Sequence, residues 1–403
     1  MNFKVMLGFG LLAMSAAMAQ DETAAVAAPV VAPITAASAP AAKATTASAG
    51  VFDGVRGSAF NSVGNEAAPS TIDDYLARPS NFGGVQMLYI EPAGQRGLVS
   101  FGTDRTFFAQ FDNSEDLGRL TLGMANKGGW GLDVRLALGQ WHRSDDAGST
   151  GLTNAGDDWG ATFSTPMGGY TLAFSGDWYT YANETTSDPD KGTKQDESYN
   201  DFSLNGNLNN APSAEAYTWT LGLNFLHHGH SVKNGSKTTD DGSVAYTEAV
   251  PYFNIGAQVL GNEKAHVFIG ANNRLPVRIV DGYDSTKTGA ESEASLFELG
   301  LRVSPNILGE VAVTDNFIVF GEAAYNWLVF GFGSGTDGVK GAKDDYTILE
   351  SHSYTAMASA GLRYQKDNRY AIEFELGDKV FTDTKAIFNG EGTFVTFGGF
   401  LYF

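Results

Sequence analysis

The chain has 403 residues, a net charge of −20 at pH 7 and no cysteine. Without cysteine it forms neither a disulfide framework nor a lipid-modified N-terminal cysteine. Nucleic-acid binding is not expected, because neutralising phosphates requires a basic surface. Beyond residue 50 no apolar run reaches the roughly 20 residues that a membrane-spanning helix needs, so a helical membrane protein is excluded.

The N terminus predicts a cleaved signal peptide at residues 1–19. Lys4 precedes the apolar run Val5–Met14, and Ala17 and Ala19 supply the small residues that signal peptidase recognises. The run is too short to remain as a membrane helix. We therefore expect cleavage before Gln20 and export from the cytoplasm.

Residues 20–50 are interpreted as a disordered linker. They are mainly Ala, Pro, Thr, Ser and Val, and their composition offers too little apolar surface to form a core. Residues 51–103 are interpreted as an N-terminal extension or a partial plug. Within them, Val85–Ile90 and Gly97–Phe101 leave open an additional hairpin.

From residue 104 to residue 403 apolar residues alternate with polar or small ones. In Trp130–Leu138 every even position is apolar, whereas the odd positions hold Gly, Asp, Arg and Ala. The same alternation recurs in Tyr170–Trp178, Tyr217–Phe225, Phe297–Val303 and Tyr370–Gly377. This pattern predicts β-strands with one apolar face, and about nine residues suffice for a tilted strand to cross a membrane.

The strand ends and connections favour a membrane barrel over a soluble sandwich. Short turns around 126–129, 166–169, 261–264 and 365–368 alternate with long polar loops around 142–156, 183–198, 229–243, 273–292, 332–346 and 378–392. Short turns on one side and long loops on the other are typical of outer-membrane barrels. Aromatic residues gather where an interfacial girdle would lie, at Trp130, Trp141, Trp159, Tyr170, Trp178, Tyr217, Tyr364 and Tyr370.

The last predicted strand ends at an aromatic residue. Val395, Phe397, Leu401 and Phe403 fall on one face of it. This strand resembles the C-terminal insertion signal of bacterial outer-membrane β-barrels. The resemblance implies an all-β, antiparallel up-and-down barrel in the bacterial outer membrane, inserted by the barrel assembly machinery and surrounded by outer-membrane lipid.

Both ends of such a barrel lie in the periplasm, so its strand number is even. The pattern predicts 14 strands between residues 104 and 403, with 12 or 16 as alternatives. A barrel of this size is too wide for small side chains to fill, so its lumen should hold water or a plug.

Charged residues on the inward face are the candidate pore-lining residues. They are Arg119, Asp133, Arg135, Asp177, Glu298, Arg302, Glu322, Arg363, Glu373 and Glu375. One interpretation is an internal salt-bridge ladder that holds neighbouring strands in register. The other is a constriction that selects solutes by charge. The two interpretations are compatible.

Three groups of residues suggest a catalytic or metal site, but their spacing does not support assigning one. Of His227, His228 and His230, the first two would face opposite sides of a strand, so at most two of the three converge, and no second cluster completes a metal site. Acidic pairs at 145–146, 157–158, 240–241 and 344–345 fall in predicted outer loops, where Asp is common for its own backbone hydrogen bonds. The residues at 351–353 place Ser beside His only in sequence, because strand neighbours point apart.

The preferred hypothesis is a porin-like channel for passive or semi-selective passage of small solutes. Because carboxylates outnumber guanidinium groups on the predicted inward face, the channel should mildly prefer cations. The alternative is an adhesion or binding protein in which the barrel is an anchor and the acidic loops are the interaction surface. Neither hypothesis involves enzymatic activity or a cofactor, and homo-oligomers are compatible with both.

Overall fold

A computed structural model describes residues 52–403 except 59, 93, 114–117, 138–151, 189–192, 211–216, 235–241, 286–290, 340–341, 351–353, 367–368 and 379–393. The predicted signal peptide at 1–19 and the predicted linker at 20–50 lie outside the described residues. The described residues form one antiparallel sheet that closes on itself, with little helix.

The sheet has eighteen hydrogen-bonded segments, labelled in chain order. They are β1 (Met87–Glu91), β2 (Arg96–Phe101), β3 (Arg105–Asp112), β4 (Arg119–Asn126), β5 (Gly131–Ala137), β6 (Leu152–Met167), β7 (Tyr170–Asp188), β8 (Thr193–Asn210), β9 (Thr218–Asn234), β10 (Gly242–Gly261), β11 (Ala265–Arg274), β12 (Val277–Ser285), β13 (Glu291–Ala312), β14 (Phe317–Val339), β15 (Ala342–Glu350), β16 (Tyr354–Lys366), β17 (Tyr370–Asp378) and β18 (Phe394–Tyr402).

These segments make 16 barrel strands. β11 and β12 both pair with β10 and β13, so they are the two halves of one strand. β15 and β16 likewise both pair with β14 and form one strand. All other strands that are consecutive in the chain are hydrogen-bonded neighbours in the sheet. The barrel therefore has up-and-down topology.

The barrel is closed by β1 and β18. Met87 pairs with Tyr402 and Ile90 with Gly399, while the other edge of β1 pairs with β2. The expected antiparallel barrel is therefore confirmed, with the larger of the strand numbers considered. The two strands beyond the predicted 14 are the hairpin β1–β2, so the barrel begins at Met87 and not at residue 104.

The two ends of the barrel differ. Turns of two to four residues connect β2 to β3, β6 to β7, β10 to β11 and β13 to β14, and they lie at the end that carries Phe403. We call this the short-turn end. At the other end the strands run further than expected, because β7 and β8 occupy most of the predicted loop 183–198. Backbone groups of neighbouring antiparallel strands hydrogen-bond to each other there. Segments with mainly polar side chains can therefore remain in the sheet.

In the described part of the chain a short α-helix and a 3-10 helix (Pro79–Phe82) precede the wall. Helix α1 (Ile72–Ala77) begins with a capping box in which Thr71 and Asp74 each accept a hydrogen bond from the other's backbone N–H. A helix of six residues is not stable alone. Tertiary contacts hold it, including the buried side chain of Ile72. Among the described residues no helix is both long and apolar enough to cross a membrane.

Candidate functional site: a plugged lumen

The outside of the barrel is apolar. Large apolar side chains stand at alternate positions with a third to two thirds of their surface exposed, as Leu132, Val134 and Leu136 do on β5. The partners between them, Asp133 and Arg135, point inward and form an ion pair. A continuous apolar exterior of this kind is unfavourable in water and favourable in lipid.

Aromatic residues mark both edges of this apolar belt. Tyr170 and Trp219 lie near the short-turn end with ring centroids 5.9 Å apart. Trp159 and Trp178 stack on neighbouring strands with centroids 6.1 Å apart. The eight-residue rise from Tyr170 to Trp178 is about 26 Å along the strand, or about 20 Å across a membrane at the usual tilt, close to the height of a lipid-facing belt. Trp141 lies outside the described residues.

The lumen at the short-turn end is filled by residues 52–86, which we call the plug. The plug enters the barrel ahead of β1 and contacts the wall from β1 round to β6 and again from β9 to β18. Strand by strand, its hydrogen-bonding partners include Ser100, Thr106, Ser164, Thr220, Asn254, Asn272, Asn306, Glu310, Glu322, Arg363, Glu373 and Tyr402.

A buried ion pair holds the start of the plug. Arg56 donates to Glu310 of β13 at 3.0 Å, and both side chains are almost completely buried. The other oxygen of Glu310 contacts Nδ1 of His266 at 3.0 Å. The pKa of Arg56 is lowered, first because burial removes its water and next because Arg363 repels it, while Glu310 acts in the opposite direction. The side chain remains a cation at any ordinary pH.

A second buried pair holds the neighbouring backbone. Arg363 of β16 and Glu373 of β17 form an ion pair across adjacent strands. Arg363 donates to the carbonyl of Val55 at 3.1 Å, and Glu373 accepts from the backbone N–H of Gly57 at 2.5 Å. The wall pair therefore offers one donor and one acceptor to the plug.

Further polar contacts run along the plug. Glu322 accepts from the backbone and the hydroxyl of Ser62. The carboxylate of Glu66 accepts from the Thr220 hydroxyl at 2.7 Å and from the Asn254 amide at 3.0 Å. These contacts satisfy polar groups that would otherwise be buried without partners.

Two apolar clusters fix the plug from within. In the first, Phe60 packs on Phe268, Leu308 and Phe320, all buried and inward-facing. The rings of Phe60 and Phe320 meet edge to face with centroids 5.2 Å apart. The second cluster joins the plug residues Val55, Ile72 and Phe82 to wall residues that include Met87, Tyr89, Leu98, Phe108 and Phe400. The hydrophobic core of the protein thus lies inside the barrel, between plug and wall.

The ten predicted pore-lining residues fall into three groups. Glu322, Arg363, Glu373 and Glu375 are buried at the short-turn end, and the first three contact the plug. Asp133, Arg135 and Asp177 form one network, in which Arg135 lies 3.2 Å from Asp133 and 2.9 Å from Asp177. Arg119 lines the same cavity as Asp133 and Arg135, whereas Glu298 and Arg302 lie apart from both groups.

The structure refines the expected pore lining. In the described conformation the residues of the first group face the plug and not an open water column, because a distant segment of the chain occupies their side of the wall. The expected salt-bridge ladder exists between Arg363 and Glu373, where the strands are adjacent. It does not extend to Glu375, whose carboxylate oxygens have no hydrogen-bond partner among the described residues.

Further from the plug the wall carries exposed charges. Arg278 of β12 bridges Glu248 at 2.9 Å and Glu298 at 3.5 Å on its two neighbouring strands. Arg274 and Arg302 are opposite each other in register on β11 and β13, and both are exposed. This part of the lumen is lined by hydrated groups.

Several residues of the site were not predicted. Arg56 and Glu66 lie in a segment without periodicity, so no pattern in the sequence indicates their partners. Glu310 lies beyond the end of the alternation Phe297–Val303 from which its strand is predicted. Extending the alternation of Phe297–Val303 by seven residues would have placed Glu310 on the inward face.

The residues considered for catalysis or metal binding do not converge. His228 contacts Asp201 at 2.5 Å, whereas His227 contacts Thr247 at 3.0 Å on the other face of β9. The acidic pairs 157–158 and 344–345 lie within β6 and β15 and not in loops. The pairs 145–146 and 240–241 and the residues 351–353 lie outside the described residues. In the described part of the chain no group of three His, Cys, Asp or Glu is placed to hold a metal.

Neither a protein-family model nor a curated protein matches the sequence. Among solved structures, the translocator domain of autotransporter NalP from Neisseria meningitidis matches with a TM-score of 0.36 and 13% identity over 75% of this chain and 90% of that one. CdiB from Acinetobacter baumannii matches with a TM-score of 0.34 and 13% sequence identity, and the match covers 79% of this chain and 59% of that one. The ferric yersiniabactin uptake receptor FyuA from Yersinia pestis matches with a TM-score of 0.36 and 8% sequence identity, and the match covers 79% of this chain and 80% of that one. Structural matches with such low TM-scores and identities carry no conclusion beyond the barrel geometry described above.

Proposed function

We propose that the protein spans the bacterial outer membrane and passes small solutes through a lumen that residues 52–86 gate. One observation carries the proposal. The wall is apolar towards the outside, and towards the plug it carries many polar and charged side chains beside its two apolar clusters, so displacing the plug would leave a largely polar passage inside a lipid-compatible shell.

The outer membrane is proposed because of the apolar belt and the predicted signal peptide. A barrel of antiparallel strands satisfies its backbone hydrogen bonds within the wall, which a lipid environment requires. The belt between its aromatic edges has the height of an outer-membrane barrel. The predicted export signal would deliver the chain to that side of the cell envelope.

Gating is proposed because the plug is held by contacts of two kinds. The polar contacts of Glu322, Glu373 and Arg363 can be replaced by water when the plug leaves. The apolar cluster around Phe60 cannot be replaced in this way, so it biases the plug towards the docked position. Solute passage then depends on the difference in free energy between the docked plug, with its apolar cluster buried, and the released plug, with its polar partners hydrated.

A cation preference is proposed for the unplugged lumen. Of the wall charges that the plug covers, Glu310, Glu322, Glu373 and Glu375 outnumber Arg363. We expect that deleting residues 52–84 gives a channel that prefers cations. Replacing Glu322, Glu373 and Glu375 by Gln in that variant should move the reversal potential towards anions, and the shift should shrink as salt rises because salt screens charge.

The gating proposal is tested with one engineered disulfide. Ser80 of the plug and Ser164 of β6 have their hydroxyl oxygens 2.8 Å apart. Cysteines at these positions come within the reach of a disulfide, and the natural chain contributes no competing thiol. We expect S80C/S164C to show single-channel openings when reduced and to lose them when oxidised.

The single variants S80C and S164C are the matched controls, since they have the same side chains without the lock. They should conduct equally under both conditions. If the deletion of residues 52–84 inserts as a barrel but shows no conductance, the channel proposal is wrong.

A second function is favoured by the height of the strands. β6 to β10, β13 and β14 have 16 to 23 residues, well beyond the span of the belt. They raise a β-wall above the membrane on one side of the barrel, which would suit a binding or adhesion protein. A non-conducting barrel would make this the better account.

A further inference from the structure

We propose that the outer face of the plug carries a binding site for small solutes with a primary ammonium group. The site is a cavity of about 140 Å³ between helix α1 and the inward faces of β2 to β5. Its lining residues are Leu76, Arg96, Gln110, Asp112, Arg119, Thr121, Asp133 and Arg135. The inference rests on the proposed function, since it names a solute class for the same lumen.

Three residues that line the cavity lie far from the short-turn end. Arg96, Asp112 and Arg119 stand at the ends of β2, β3 and β4 that are remote from that end. Asp133 lies four residue pairs deeper than Arg119, because Arg119 pairs with Ala137 and Asp133 with Gly123. A solute arriving from the long-loop side would therefore meet this cavity before it meets the body of the plug.

Two of the three arginines that line the cavity are paired with carboxylates. Arg96 contacts Asp73 at 2.6 Å, Asp112 at 3.2 Å and Glu91 at 3.6 Å. Arg135 contacts Asp177 at 2.9 Å and Asp133 at 3.2 Å. These pairs leave little positive charge to attract an anion.

The network around the cavity is acidic in sum. Its carboxylates are Asp73, Glu91, Asp112, Asp133 and Asp177, and its guanidinium groups are those of Arg96, Arg119 and Arg135. The carboxylates are thus in excess. In a site that is partly shielded from water such an excess favours a cationic group over an anionic one.

Asp133 supplies the unmatched acceptor. Its side chain is completely buried, and Oδ1 accepts from Arg135 at 3.2 Å. Its other oxygen, Oδ2, is buried near Thr162 and accepts no hydrogen bond of normal geometry from the described residues. An ammonium group is a compact donor with three hydrogens, and a charge-assisted hydrogen bond to this oxygen would compensate its burial.

The test measures binding at equilibrium with detergent-solubilised full-length protein, so it is independent of conductance. The probes, followed by saturation-transfer NMR, are propylammonium, L-alanine and propionate, which share a size and differ in charge. We expect propylammonium and alanine to bind and propionate not to. Binding of propionate alone, or of none of the three, would overturn the inference while leaving the channel proposal standing.

Two variants locate the site. D133N keeps the shape of the side chain and should weaken propylammonium binding about tenfold or more, because a charge-assisted hydrogen bond is lost. L76W changes no charge and should abolish binding by filling the cavity. E248Q is the matched control, since Glu248 also pairs with an arginine but lies on β10, outside the cavity. Unchanged affinity in both D133N and L76W would show that the ammonium group binds elsewhere.

Discussion

Replacing Phe60 by alanine should release the plug. Phe60 is 1% exposed and is surrounded by Phe268, Leu308 and Phe320 of the wall. Truncating a buried phenylalanine costs about 3–5 kcal/mol. The cost falls on the docked state alone, because Phe60 has no wall contacts once the plug leaves. At 1.4 kcal/mol per tenfold change, the ratio of released to docked plug should rise by roughly 100-fold or more.

The released state can be measured by thiol labelling. Ser359 of β16 is 8% exposed, faces the lumen and donates to Glu322 at 3.0 Å. S359C would be the only thiol in the chain. If the plug opens and closes faster than the label reacts, the labelling rate follows the released fraction. We expect F60A in the S359C background to label roughly 100-fold faster.

Two controls separate release of the plug from general damage. F174A removes a large side chain from the lipid-facing surface, where Phe174 is 52% exposed, and should leave the S359C labelling rate within a few-fold. F60L keeps most of the buried volume and should fall between the wild-type chain and F60A. Equal labelling of S359C and S359C/F60A would refute the view that the Phe60 cluster holds the plug.

Three further outcomes are expected. The unheated protein should migrate differently from the boiled protein in gel electrophoresis, because a closed barrel resists detergent at room temperature; identical mobility together with recovery in the soluble fraction would contradict a membrane barrel. Deleting Phe403 or making it charged should lower the amount of protein in the outer membrane, and normal accumulation would show that the last strand carries no insertion signal. G256A should raise labelling of S359C, since a Cβ at Gly256 would lie 2.6 Å from the backbone nitrogen of Ala67 in the plug, whereas G300A, whose Cβ meets Leu328 at 3.4 Å, should not.

The alternation of residues was enough to predict the wall. Leu132 and Asp133 were assigned to opposite faces from the sequence, and the structure exposes the first on the outside and buries the second inside. The same holds for the terminal strand, where Phe397, Leu401 and Phe403 are exposed on the outer face. Period-two patterning reports the face of a strand directly, because successive side chains point to opposite sides.

The sequence does not decide whether the hairpin β1–β2 belongs to the barrel, because its strands have only five and six residues. A run that short gives few positions from which to judge an alternation. Its membership of the barrel depends on pairing with β18, whose partner residues are more than 300 positions away in the chain. Sequence patterns within a window carry no information about such a partner.

What occupies the lumen was decided by tertiary structure alone. The sequence determined that Arg363 and Glu373 face inward, but alternation gives the side of a residue and not its neighbour on that side. Residues 52–86 show no regular alternation of apolar and polar residues, because each side chain is matched to the particular wall residue that it contacts. Arg56 forms an ion pair with Glu310, and the ring of Phe60 packs against the ring of Phe320. Complementarity between distant segments becomes visible only when the barrel closes around the plug, because only closure brings those segments within contact distance.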